Sequence, residues 1–130
     1  MRLLLALAFA VAAPLGAQQP STQSFTDSQA VRGQRWYEGT CMHCHATKDM
    51  ASPDFKVRWG GRTALDLYLR ISSTMPQDSP GSLSTRAYTD IVAYLMQING
   101  IVAGVQPLTA DTTVLAAARL GFSPTSSAPR

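Results

Sequence analysis

Two cysteines, Cys41 and Cys44, and two histidines, His43 and His45, are all that the 130 residues contain of either type. Without a third cysteine there is no disulfide framework, and the one bridge available would close a loop too short to restrain the unfolded chain much. A four-ligand zinc site is equally poorly served, because all four of these side chains crowd into one pentapeptide. Charge is also scant: 11 Lys and Arg against 8 Asp and Glu give +3, with no basic stripe of the sort that binds nucleic acid. No run alternates apolar and polar residues well enough for a strand. The chain therefore reads as all-α, which removes the βαβ setting that a thioredoxin-like dithiol needs.

What is present begins at the N-terminus. Arg2 is a short positive region, Leu3 to Leu15 is apolar, and Leu15-Gly16-Ala17 offers small residues before Gln18. That layout predicts a secretory signal peptide over residues 1–17. The apolar run is too short to span a bilayer comfortably, and no cysteine follows the cleavage point to take a lipid. The expectation is an exported, periplasmic, soluble protein with no stable membrane span, its ten remaining basic residues against eight acidic ones leaving +2.

Residues 18–26 have the composition of a flexible leader. Asp27 is placed to cap a helix running to about Glu38, with Ala30, Val31, Gln34 and Tyr37 at helical spacing, and Gly39-Thr40 is expected to end it. Residues 46–58, which include Pro53, read as loop. Thr63 caps a second helix to about Ser72, turning Leu65, Tyr68, Leu69 and Ile71 inward. SSTMPQDSPGS must be loop, with two prolines and a glycine. Ser84 then caps a helix over 85–98, whose apolar face is Tyr88, Ile91, Val92, Leu95 and Met96, and Asn99-Gly100 ends it. The principal domain is placed at 27–104. An extension over 105–121 carries a short helix somewhere between Asp111 and Leu120, and residues 122–130 read as a disordered tail. So few helices leave a small core, which something else must complete.

That something is suggested by TCMHCHATK, residues 40–48. Cys-x-x-Cys-His is the attachment pattern of c-type haem: each thiol adds to one vinyl group, and the next residue, His45, lies where it can bind the iron. Attachment occurs outside the cytoplasm, in agreement with the signal sequence. His43, between the thiols, reads as a solvent-facing spacer. A second histidine ligand is not available. Met75, thirty residues on in a proline-rich loop, is the leading candidate for the sixth position, with Met50 and Met96 in reserve. Met96 is more naturally core packing.

Over residues 28–104 the chain resembles a class I c-type cytochrome of the short bacterial kind associated with quinoprotein dehydrogenases. GQRWYEGTCMHCH, RWGGRTALDLYLRISSTMPQDSPGSLS and YTDIVAYLMQING carry the likeness. The resemblance implies a small all-α fold of three to four short helices around one covalently bound haem c and its iron. It implies that Cys41 and Cys44 hold the haem, that His45 and Met75 ligate the iron, and that Gly33 and Tyr37 cross the last helix near Tyr94. Pro53 would help to fix the proximal imidazole, while Trp59 and Arg62 would lie near the propionates. Ala46 departs from the glycine that often follows the motif. The function implied is one-electron transfer with a quinoprotein dehydrogenase or a terminal oxidase, docked transiently, and no catalysis of its own. The alternative is a haem enzyme or gas-binding sensor with an open sixth site.

Overall fold

The computed structural model describes residues 25–122. The expected signal peptide, most of the leader and nearly all of the tail lie outside the described residues. Five α-helices run in the order α1 (Asp27–Trp36), α2 (Pro53–Trp59), α3 (Ala64–Thr74), α4 (Thr85–Ile98) and α5 (Thr112–Ala117). Among the described residues the only sheet-like pairing is one isolated bridge, Thr63 with Arg119. The fold is all-α, as expected.

Helix α4 is the axis of the molecule. Its residues 87–96 are all buried, so neighbours cover every face, including the expected Tyr88, Ile91, Val92, Leu95 and Met96. Helix α1 makes the most extensive contact with it. The two backbones meet at Gly33, where any Cβ would fall on the Asp90 carbonyl oxygen and within 2.9 Å of the Tyr94 Cβ. One turn further on, the Tyr37 and Tyr94 rings pack with centroids 5.5 Å apart. Beside this crossing the buried Asp90 receives a two-pronged bond from Arg32, Nε to Oδ2 at 3.0 Å and Nη2 to Oδ1 at 3.2 Å. A guanidinium fork matches a carboxylate in this way without leaving either oxygen unpaired.

Several local expectations need correction. Thr26, not Asp27, caps α1: its hydroxyl accepts from the Gln29 amide at 3.2 Å, and Asp27 is the first helical residue. Phe25 is fully buried, so the last two residues of the expected leader belong to the fold. The inward face of α1 is Gln29, Ala30 and Gly33, whereas Val31 and Gln34 are exposed. Gly39-Thr40 does not end the helix. The chain widens into a π turn, Tyr37–Cys41, with the Met42 amide donating to the Tyr37 carbonyl. Such a turn inserts an extra residue without leaving the helical path.

Residues 46–58 are not loop throughout. A 3₁₀ turn at Asp49–Ala51 leads into α2, where Ser52 accepts from the Phe55 amide at 3.2 Å. Pro53 sits at the first helical position, where its missing N–H costs nothing. In α3 the buried residues are Ala64 and Leu67. Leu65, Tyr68 and Ile71 are half-buried, while Leu69 is 52% exposed and faces outward. Thr63 caps α3 in a reciprocal box with Asp66. Those bonds from Thr63 hold the Asp66 carboxyl below its usual pKa. The box is therefore intact above the carboxylate range and loses strength as pH falls through the folded value. The residues assigned to an extension are part of the same core: Leu108, Leu115, Ala118 and Leu120 are buried. So is Phe122, which composition had placed in the tail.

Candidate functional site

The helices close around one large cavity of about 780 Å³, bounded by α2, α3, α4, the π turn and the loop after α3. That is within the range of roughly 300–1,000 Å³ usual for a bound organic ligand. Leu67, Ile71, Leu83, Ile91, Leu95 and Phe55 make much of its wall.

The Cys-x-x-Cys-His segment enters this wall directly from α1. The amides of Cys44 and His45 both donate to the Cys41 carbonyl, at 3.1 and 2.9 Å, so the two cysteines and the histidine share a single turn. Tyr37 reaches forward from the π turn and donates its phenol proton to the His45 carbonyl at 2.9 Å. Burial, with Cys41 and Tyr94 nearby, pushes the Tyr37 phenol up to about 12, so it stays a donor throughout the ordinary pH range. No disulfide joins the two cysteines, of which Cys41 is half-buried and Cys44 exposed. Burial raises the Cys41 thiol. Among the described residues no cluster of three or more His, Cys, Asp or Glu is disposed to hold a metal ion.

Cys41, Cys44, His45, Met75 and Trp59 all line the cavity. Met75 is the residue that ends α3, and its amide closes the last turn on the Ile71 carbonyl at 2.9 Å. Its own carbonyl accepts from the Tyr88 hydroxyl at 2.7 Å. Met50 also reaches the lining, so two thioethers border one space, whereas Met96 is fully buried in the core as expected. His43 is exposed, but it stands at the cavity mouth.

Two expected residues stand outside the lining. Arg62 lies over the Trp59 ring, 5.6 Å from its centroid, and donates from Nε to the Arg58 carbonyl at 3.0 Å. It therefore bears on the cavity indirectly, through Trp59 and Arg58, which both line it. Pro53 is exposed at the start of α2, between Ser52 and Asp54, which do line the cavity. Sequence reasoning missed Arg58 and Arg70, two guanidinium-bearing residues that do line the cavity, and the anchoring role of Tyr88. The signals were there: Arg70 interrupts an apolar helix one turn before the loop, and a buried phenol must find a partner.

This arrangement can hold a broad apolar ring by two thiols on one turn. It can offer an imidazole and a thioether to a metal, and guanidinium groups to acidic substituents. The helical fold and this site together define a class I c-type cytochrome. The family model described as cytochrome C oxidase, cbb3-type, subunit III, matches residues 28–95, just over half of the chain, and the chain belongs to that family. Its cofactor is haem c with its iron, covalently bound, and its domain serves haem-based electron transfer. No curated protein and no solved structure matches the chain.

Proposed function

We propose that this protein is an exported one-electron carrier or electron-transfer subunit whose haem is attached through Cys41 and Cys44 and ligated by His45 and Met75. The observation that carries the reading is the joining of the two segments at one cavity: the thiol–imidazole turn from α1 and the thioether at the end of α3 both line it. When bound, haem c supplies an Fe(III)/Fe(II) couple that takes and gives one electron. The chain's own residues do the rest. Tyr37 holds the His45 backbone, Tyr88 holds that of Met75, and the aliphatic wall excludes water, which favours the less charged, reduced state.

Trp59 flanks the cavity with Arg62 on its outer face, and Arg58 and Arg70 supply cationic groups for the two carboxylates of the ring. Pro53 contributes by pre-setting the first turn of α2 below them. With His45 and Met75 both engaged by the iron, no site would be left open for substrate, so the protein is read as a carrier and not as a catalyst.

The layout of residues 1–17 supports export to the periplasm. Among the described residues no helix is long and apolar enough to cross a membrane. The family's description supports a terminal oxidase as redox partner, and the resemblance noted in the sequence suggests a quinoprotein dehydrogenase as donor. Docking is transient, through a small interface.

Met75→Ala tests the core of this reading. The reduced variant should bind carbon monoxide readily, its reduction potential should fall, and the weak far-red charge-transfer band of the oxidised protein should vanish. A variant that keeps its potential and band and refuses the gas would exclude Met75 as ligand and leave Met50, which also lines the cavity, as the candidate.

A further inference from the structure

The family match ends at residue 95, yet the chain beyond it returns to the helices that wall the cavity. After α5 the backbone runs antiparallel to the short connection between α2 and α3. The Ala64 amide donates to the Ala118 carbonyl at 2.8 Å, Gly61 to Leu120 at 2.9 Å, and Leu120 back to Arg62 at 2.8 Å. Arg119 adds a fourth bond, Nη2 to the Gly61 carbonyl at 2.6 Å.

Two glycines make this approach possible. Gly61 has φ +80°, which strains any other residue. A Cβ on Gly60 would stand 2.6 Å from the Lys56 carbonyl oxygen and 3.3 Å from that of Phe122. At the end of the segment the Phe122 ring packs on Phe55, centroids 6.0 Å apart, and Phe55 in turn meets Trp59 at 6.3 Å. Phe55 and Trp59 are both cavity wall. The other end of the extension is tied elsewhere: Gln29 on α1 exchanges two buried bonds with Leu108, at 2.7 and 2.8 Å.

We propose that residues 118–122 form a clasp that sets the separation of α2 from α3, with Phe122 as its positioning residue. Helix α2 carries Phe55 and Trp59, and α3 ends at Met75, so the connection they share governs how wide the cavity stands. The clasp grips that connection and backs the α2 wall from outside. Phe122 does not itself line the cavity and touches no proposed ligand; it acts through Phe55, the wall residue on which its ring packs. This deepens the function proposed above and rests on the haem occupying this cavity.

The test compares two buried positions on the same segment in the full-length, haem-loaded protein. Phe122→Ala releases the clasp, whereas Leu108→Ala removes a buried side chain next to the Gln29 tie and leaves the clasp alone. Phe122→Leu, which keeps apolar bulk, is the milder form should Phe122→Ala fold poorly. All three should retain haem through denaturing electrophoresis, because each leaves Cys41 and Cys44 in place to hold it. The clasp requires that the Phe122 variants lower the reduction potential and bind carbon monoxide several-fold faster when reduced, with Leu108→Ala at wild-type values for both even where its Tm falls as far. Should the Phe122 and Leu108 variants share the wild-type potential and gas rate, or shift both equally, the segment merely staples the fold and the proposal fails. Met75→Ala measured alongside keeps the two ideas apart. An unchanged potential there defeats the axial role of Met75, while the clasp still stands or falls on the contrast between Phe122 and Leu108.

Discussion

Tyr88 shows how much of the site depends on a single atom. On the apolar face of α4 it looks like core filler, yet its hydroxyl donates to the Met75 carbonyl and lies 3.4 Å from the Leu83 amide, bridging the two ends of the loop between α3 and α4. Tyr68 meets its ring edge-on, centroids 6.4 Å apart, which limits where the phenol can point. Tyr88→Phe keeps the ring and removes the bond. A net loss of about 1 kcal/mol is expected, with more if the Met75 carbonyl stays dry and unpaired. A lower urea midpoint together with a weaker far-red band would place Tyr88 in control of the thioether. An unaltered band would restrict it to stability. The buried phenol signalled that it needs a partner, but which one was not legible, because a helical period reports that a residue faces inward and not which atom it will meet there.

The elements tell a mixed story, and its physical reasons are specific. Helices α3 and α4 were legible because side-chain caps, Thr63 and Ser84, stand before clear apolar stripes. Helix α2 was not: Pro53 reads as a breaker when its position in the first turn is unknown. The π turn was equally hidden, since Gly39 with no Cβ fits a widened helix as readily as a helix end. The crossing of α1 and α4 was anticipated through Gly33, and it is the most demanding contact between elements. Gly33→Ala should force the backbones apart at Asp90 and cost roughly 1–3 kcal/mol, the usual toll of overpacking. Chemical denaturation would register it, and a variant as stable as the parent would mean that the crossing has slack the geometry does not suggest. The spacing of Cys41, Cys44 and His45 was the most legible part of the site. Met75 was less so, because its wall comes from a separate helix thirty residues on.

At the scale of the whole molecule, the cavity is large for a chain of this size. Walls made of Leu67, Ile71, Leu83, Ile91 and Leu95 face it on several sides, and they bury their apolar surface fully only against an occupant. A haem seated here would therefore be structural as well as functional. Cys41→Ser combined with Cys44→Ser should leave no covalent haem on a denaturing gel, and the apoprotein should unfold at a markedly lower temperature. A double variant that melts with the parent would show that the helices sustain the fold unaided.

The burial of α4 on every face has a bearing on how the protein breathes. Amides from Ile91 to Leu95 have no water-facing side through which a small fluctuation could expose them. Their exchange with deuterium must wait for openings that separate α4 from its neighbours, and their protection should approach the stability of the entire fold. The loop over residues 77–82 is exposed along its whole length and can open at little cost. Exchange at these two places thus gives two clocks in one molecule. A change that loosens only the Met75 loop will speed the second and leave the first untouched.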